Sequence, residues 1–247
     1  MKIVANFKTN HTHKSTCEYI KELENFLKTH KTTSEVEIFP PFTAFVNSND
    51  FLNIKLGAQN FYPIKNGSVT GEIGLEQLNE FKIDSVLIGH SERRTLLKEN
   101  QEIVSNKFNF AKENNFEIIY CIGEPLEIRE KGINFILEYL FGQFDGIDIN
   151  YAKLVVAYEP IWAIGSGKSA TTKDIDEVLN ALKEKIKAPL LYGGSVNIDN
   201  VASIVSLKNC DGVLIGNASL NVDNFCKIVE KIDSVKKQIL KGNKECC

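Results

Sequence analysis

Short apolar runs recur along the chain at even intervals. Ile3–Phe7, Val36–Phe39, Ile54–Ala58, Ser85–Ile88, Glu117–Ile122, Leu154–Tyr158, Leu190–Tyr192 and Gly212–Ile215 are each of strand length. Several hold consecutive β-branched residues with no polar alternation, the pattern of parallel strands covered on both faces. Between them the period changes to that of amphipathic helices. Tyr19, Ile20, Leu23, Phe26 and Leu27 form one stripe. Ile175, Val178, Leu179, Leu182 and Ile186 form a second, and Phe225, Ile228, Val229 and Ile232 a third. Pro189 marks the end of the second, because a proline ring clashes inside a helix. Val104–Ala111 and Phe135–Phe141 are helical too, although the latter lacks a polar face wide enough to orient it.

Strands that each lead into something helical predict an α/β protein with a parallel sheet, either open and doubly wound or closed into a (β/α)8 TIM barrel. Eight such units in 247 residues favour closure. No linker or shift in composition interrupts the pattern, so residues 1–247 read as a single domain. One connection is out of rhythm. Asn60–Gly74 is a long loop with several Gly and Asn residues and the adjacent aromatics Phe61 and Tyr62, the kind of excursion that usually binds something.

Composition removes several function classes. With 43% hydrophobic and 25% charged residues the chain is ordinary globular protein. Its 29 basic and 32 acidic residues carry no broad nucleic-acid footprint. No apolar stretch approaches the ~20 residues of a membrane span, and Asn6 and Lys8 cut the apolar start too short for a signal peptide. The cysteines (Cys17, Cys121, Cys210, Cys226, Cys246 and Cys247) include no Cys-x-x-Cys pair, so neither a disulfide scaffold nor a zinc site is expected. The expectation is a cytoplasmic protein with reduced thiols and neither nucleic-acid nor membrane partners.

In parallel α/β proteins ligands bind at the carboxyl ends of the strands. The first strand delivers Asn6 and Lys8, read as sharing one side of an extended segment. The fourth delivers His90, followed by Ser91 and Glu92, with Ser91 read as a helix cap that places His90 beside a positive helix end. The sixth delivers Glu159 just before Pro160. Gly193-Gly194-Ser195 and Gly216-Asn217 read as strand-to-helix turns whose N–H groups make an anion cradle. Each has a plainer reading, as a solvated lysine, a structural histidine, a surface ion pair or simple turns. His11, His13 and His30 form no pattern. Gly167-Lys168-Ser169 ends like a phosphate-binding P-loop, but Trp162 stands where that motif requires its first glycine.

Taken together, Ala5-Asn6-Phe7-Lys8, Gly57-Ala58-Gln59-Asn60, Thr70-Gly71-Glu72, Ile88-Gly89-His90-Ser91-Glu92-Arg93-Arg94, Cys121-Ile122-Gly123-Glu124, the stretch from Ala157 to Lys168, Tyr192-Gly193-Gly194-Ser195-Val196 and Asp211 to Gly216 resemble the triosephosphate isomerase family, in family order and along essentially the whole chain. The resemblance implies a (β/α)8 barrel that interconverts dihydroxyacetone phosphate and D-glyceraldehyde 3-phosphate, as a homodimer and without metal or organic cofactor. On the matching positions Glu159 looks like the carbon base, His90 like the electrophile, and Lys8 like the neutralising cation with Asn6 beside it. Gly165, Ser195, Gly216 and Asn217 occupy the phosphate-gripping positions, and Pro160–Ser169 resembles the closing lid. Residues 60–74 would reach a partner subunit, with Thr70 supporting its Lys8 and His90. Asn217 departs from the pattern, since relatives usually have a second glycine there. Two rivals remain open at this stage: another phosphate-binding barrel, such as a sugar-phosphate epimerase, and a catalytically dead barrel that serves as a scaffold.

Overall fold

The eight apolar runs become eight parallel strands in the computed structural model, which describes residues 1–47, 51–164 and 169–245. They are β1 (Lys2–Asn6), β2 (Glu35–Phe39), β3 (Ile54–Leu56), β4 (Ser85–Ile88), β5 (Glu117–Ile122), β6 (Leu154–Tyr158), β7 (Leu190–Tyr192) and β8 (Gly212–Ile215). The helices are α1 (His13–His30), α2 (Leu75–Glu80), α3 (Ser91–Thr95), α4 (Gln101–Glu113), α5 (Leu126–Arg129), α6 (Ile133–Gly142), α7 (Thr172–Lys185), α8 (Val201–Val205) and α9 (Val222–Glu245). Between β2 and β3 the helical element among the described residues is a 3₁₀ turn, Phe42–Ala44.

The strands run in the order β3-β2-β1-β8-β7-β6-β5-β4, which leaves β3 and β4 as the two edges. Those edges meet through Ala58, whose N–H donates to the Ser85 carbonyl at 2.9 Å and whose carbonyl accepts from Leu87 N–H at 2.9 Å. This bridge decides between the open sheet and the barrel: the sheet closes. Alternate residues then point inward or outward. Val4, Phe39, Leu87, Ile119, Val155, Leu191 and Leu214 fill the interior. Ile3, Ala5, Ile38, Ile118 and Tyr120 face the surrounding helices, against residues such as Leu23, Phe108, Leu179 and Phe225. Burial on both faces is why the strands read as unbroken apolar runs. The first and last helices also meet, with His30 lying 3.1 Å from Asp233 and the rings of Tyr19 and Phe225 6.4 Å apart.

β4 to β8 have the bounds that their apolar runs predict, whereas β1 is Lys2–Asn6 rather than Ile3–Phe7 and β2 begins at Glu35. The early starts at Lys2 and Glu35 have one cause, a charged floor. Lys2 is buried at the amino-terminal mouth of the barrel, its ammonium 2.7 Å from Glu35, 3.0 Å from Glu37 and also paired with Glu117. Mutual neutralisation lets charged residues begin strands that hydrophobicity alone would start later. Among the described residues no helix is long and apolar enough to cross a membrane.

Candidate active site

A cleft of about 470 Å³ opens at the carboxyl ends of the strands, lined by Asn6, Lys8, His90, Glu159, Ser195, Gly216 and Asn217 among others. Gly165, the remaining predicted site residue, lies outside the described residues, as do positions 166–168 of the lid-like stretch.

Asn6 ends β1 and is buried, and its Oδ1 accepts the Lys8 N–H at 3.0 Å. Lys8 is not on an extended strand as predicted. Its φ is +52°, a left-handed conformation that a side chain adopts at a cost. The turn is held by Asn10, which donates its backbone and side-chain N–H to the Phe7 carbonyl at 3.0 and 2.9 Å. Gln59 adds a bond to the Lys8 carbonyl at 2.8 Å. The reversal sends the lysine side chain across the cleft to Glu92, with Nζ–Oε1 at 2.5 Å.

Past the end of β4, Gly89 takes φ +76° where a Cβ would lie 3.1 Å from the Cys121 carbonyl. Only glycine fits such a turn without strain. The residue that caps α3 is then His90 itself, not Ser91: its Nδ1 accepts the Glu92 N–H at 3.2 Å. A nitrogen that accepts a hydrogen bond carries no proton, so the proton of the neutral ring belongs on Nε2. Nε2 faces Glu159, 3.2 Å from Oε1. The other carboxylate oxygen accepts Ser91 N–H at 3.2 Å.

Glu159 is buried at 2% exposure, and its N–H extends the sheet ladder to the Ile122 carbonyl at 2.7 Å. Close approach demands glycine on both sides of it. A Cβ at Gly193 would lie 2.8 Å from the Glu159 Cγ, and one at Gly123 only 1.8 Å from its carbonyl oxygen. Cys121 is buried nearby; burial, and then the Glu159 carboxylate, push its thiol well up, so it stays a neutral packing residue. Glu124, also fully buried, accepts Tyr158 OH at 3.0 Å and Trp162 Nε1–H at 2.9 Å on Oε1. Burial raises its carboxyl above the ordinary range.

The small-residue rim only partly follows its prediction. Ser195 does not start a helix, since α8 begins at Val201. Its N–H nevertheless has no acceptor among the described residues. Gly216 precedes a 3₁₀ turn over Asn217–Ser219, and the Asn217 N–H is likewise without an acceptor there. Asn217 has no positive φ, so asparagine in place of glycine brings no backbone strain. A Cβ on Gly216 would lie 3.7 Å from the Lys8 ammonium, which brings that charge beside the free N–H groups.

The out-of-rhythm loop is also corrected in one respect. Phe61 is 3% exposed and packs on Phe110 and Phe116 of the same chain, so only Tyr62 of the aromatic pair faces outward. Asn60 is pinned by Lys107 at 2.7 Å. The loop closes on itself through Tyr62 N–H to the Ile73 carbonyl and Leu75 N–H to the Ile64 carbonyl, at 2.8 and 2.9 Å, leaving an exposed tip at 65–68.

Glu92 is the functional candidate that sequence reasoning missed. Its acidic side chain fits a first helical turn, and nothing local shows that its partner is a lysine 84 positions away. The histidines without a pattern are all engaged: His11 with Ser15 and the Leu220 carbonyl, His13 with the Phe45 carbonyl, and His30 with Asp233. Among the described residues, one group has metal-ligand spacing, Glu35, Glu37 and Glu117. It lies at the opposite end of the barrel, with the Lys2 ammonium among its carboxylates.

Comparison with known proteins bears on this geometry. A sequence model described as triosephosphate isomerase matches residues 1–232. The chain is 49% identical to the triosephosphate isomerase of Sulfurimonas denitrificans, over 96% of this chain and 98% of that protein. It is 48% identical to that of Wolinella succinogenes, over 94% of this chain and all of that protein. With that of Helicobacter hepaticus it shares 50% identity, over 92% of this chain and 97% of that protein.

Proposed function

Because the chain belongs to the triosephosphate isomerase family, we propose that its isomerisation of dihydroxyacetone phosphate and D-glyceraldehyde 3-phosphate is carried by Glu159, His90, Lys8 and Asn6. The observation that carries this assignment is the convergence of a buried carboxylate, an imidazole with a defined donor nitrogen and an ammonium on one cleft. A carbon acid beside a carbonyl is weak, so removing its proton requires stabilisation of the enediolate that forms.

Glu159 takes the proton from the carbon next to the carbonyl and returns it to the neighbouring carbon. His90 Nε2–H donates to the substrate oxygens, and the Lys8 ammonium offsets the negative charge of the enediolate and the phosphate. Asn6 fixes the Lys8 backbone through the bond from Lys8 N–H. His90 has one proton to donate at Nε2, now aimed at Glu159. Substrate entry therefore shifts the carboxylate off both His90 and Ser91 and toward the carbon it deprotonates. The phosphate is gripped by the N–H groups of Ser195, Gly216 and Asn217, with Gly165 as a further contact by family position. Anion binding by N–H groups with no other acceptor costs no internal bond. These acid–base groups account for the chemistry without a metal or organic cofactor.

The same reading makes residues 1–247 one domain, supported by the contact of the first and last helices. It also makes the protein a cytoplasmic homodimer that binds neither nucleic acid nor membrane. Free thiols among the described cysteines suit a reducing compartment. The self-association face is supported by the exposed tip at 65–68, Thr70, and Leu96 and Leu97 beside the cleft, 73% and 61% exposed. The test is a coupled assay with D-glyceraldehyde 3-phosphate and sugar-phosphate epimer substrates side by side. Turnover of the triose phosphate alone is expected. A protein that bound the triose phosphate without turning it over would overturn the assignment in favour of a scaffold.

A further inference from the structure

Arg129, at the end of α5, stands outside the cleft and is absent from its lining. Its Nη2 lies 2.6 Å from Asp174 Oδ1, and its side chain is 14% exposed. Asp174 is itself the carboxylate of the capping box that starts α7, accepting the Thr171 N–H at 2.9 Å. The second terminal nitrogen, Nη1, is buried with no hydrogen-bond partner among the described residues. A buried donor left so is costly unless something else offsets it. What offsets it is the face of Trp162, whose ring centroid is 5.6 Å from the guanidinium carbon.

Trp162 passes the restraint inward. Its indole N–H donates to Glu124, which also takes the hydroxyl of Tyr158, the residue before Glu159. The Glu124 carbonyl accepts Ile161 N–H at 3.1 Å, so Glu124 grips the chain on both sides of the Glu159-Pro160 pair. Arg129 also supplies positive charge close to the fully buried Glu124 carboxyl. One cation thus ties the start of α7 to the carboxyl end of β6 through a stacked indole and a buried carboxyl group.

We infer that Arg129 is a positioning residue for the isomerisation, acting through Trp162 and Glu124 to hold the chain segment that carries Glu159. An isolated surface Arg–Asp pair contributes little. This one is braced against an aromatic face and a buried hydrogen-bond network, and displacement of a base by ~1 Å costs on the order of a hundredfold in rate. The inference rests on Glu159 as the base. Because Arg129 touches no part of the cleft, its loss acts on turnover rather than on substrate binding.

The test compares Arg129→Met, Arg129→Lys and Asp174→Asn. Met keeps the hydrocarbon stem without the charge, Lys keeps the charge without the planar fork, and Asn keeps an oxygen for the Thr171 N–H. Each variant is assayed for kcat and KM on D-glyceraldehyde 3-phosphate, for folded fraction by circular dichroism, and for emission from Trp162, the sole tryptophan. Arg129→Met is expected to lower kcat per folded molecule about tenfold with KM within about twofold, and to shift Trp162 emission to longer wavelength. Arg129→Lys recovers part of both, and Asp174→Asn loses about threefold in the same direction. Wild-type kcat per folded molecule in Arg129→Met, or a loss matching only its folded fraction, overturns the inference. If that variant does not fold, wild-type kcat and unshifted emission in Asp174→Asn overturn it. Should the wild type show no isomerase activity, the assignment of Glu159 fails instead, while the emission shift still reports whether Arg129 braces Trp162.

Discussion

A carboxylate that removes a proton from carbon works only within contact distance of that carbon, so side-chain length is itself a catalytic variable. Glu159 is anchored at its backbone by Ile122 and crowded at its stem by Gly193, which leaves only the outer carboxylate to move. Glu159→Asp withdraws that carboxylate by roughly 1 Å and should lower kcat on the order of a hundredfold, with KM changing far less. Steady-state kinetics checks it, and near-wild-type turnover would show that another group is the base. His90 allows a second test at this scale. With Nδ1 accepting the Glu92 N–H, nitrogen NMR of labelled histidine at neutral pH should show the proton on Nε2 and a bare Nδ1. A proton on Nδ1 would contradict the capping geometry and the donor role at Nε2.

At the scale of elements, the loop between β3 and α2 is a closed lobe rather than a floppy excursion. Its root is fixed by Phe61 in the core and by Asn60 on Lys107, and only its tip is available to a partner. Removing Lys65–Val69 takes away that tip while leaving Phe61 and the Tyr62 to Ile73 bond in place. On the proposed homodimer, in which the loop of one copy supports Lys8 and His90 of the other, the expected product is a folded monomer with activity reduced at least about tenfold. Light scattering and the coupled assay decide it; a fully active monomer would remove the basis for the homodimer. The strand ends act on the same scale. β4 stops at Ile88 because Gly89 turns the chain, and that turn delivers His90 to a helix start and Ser91 N–H to Glu159.

The whole molecule places two charged systems at opposite ends of one apolar barrel. The carboxyl end holds the candidate chemistry, and the amino end holds Lys2, Glu35, Glu37, Lys55, Asp84 and Glu117. Glu37 is fully buried, and burial raises its carboxyl above the ordinary range despite the opposing pull of Lys2. A carboxyl raised in the folded state contributes stability below its unfolded value and loses it as pH rises through the folded value. Glu37→Gln lacks that loss. Urea titrations at pH 5 and pH 8 should therefore show the variant gaining on the wild type at the higher pH. Lys2 keeps Glu35 and Glu117 as partners, so the substitution is not expected to orphan a buried charge. A difference between variant and wild type that is constant with pH would show that Glu37 titrates alike in the folded and unfolded chain.

Much of this was legible in the chain because it depends on local chemistry. Continuous β-branched runs require two-sided burial, stripes at helical spacing require one-sided burial, and their alternation requires parallel strands, as β4 to β8 show to the residue. The same topology puts strand ends on one side, which is why Asn6, Lys8, His90, Glu159, Ser195, Gly216 and Asn217 all line one cleft. What local sequence does not encode is the identity of a partner far along the chain. Lys2 reads as lying outside the first strand until Glu37 and Glu117 neutralise it, Phe61 reads as one of two aromatics on a binding loop until Phe110 and Phe116 cover it, and Lys8 reads as extended until Asn10 and Gln59 fold it back toward Glu92. Closure, which the count of eight units favours, is made among the described residues by Ala58, whose two hydrogen bonds join the edge strands. Hydrophobic period is a property of neighbours in the chain; hydrogen bonds and ion pairs between distant residues exist only once the barrel has brought them together.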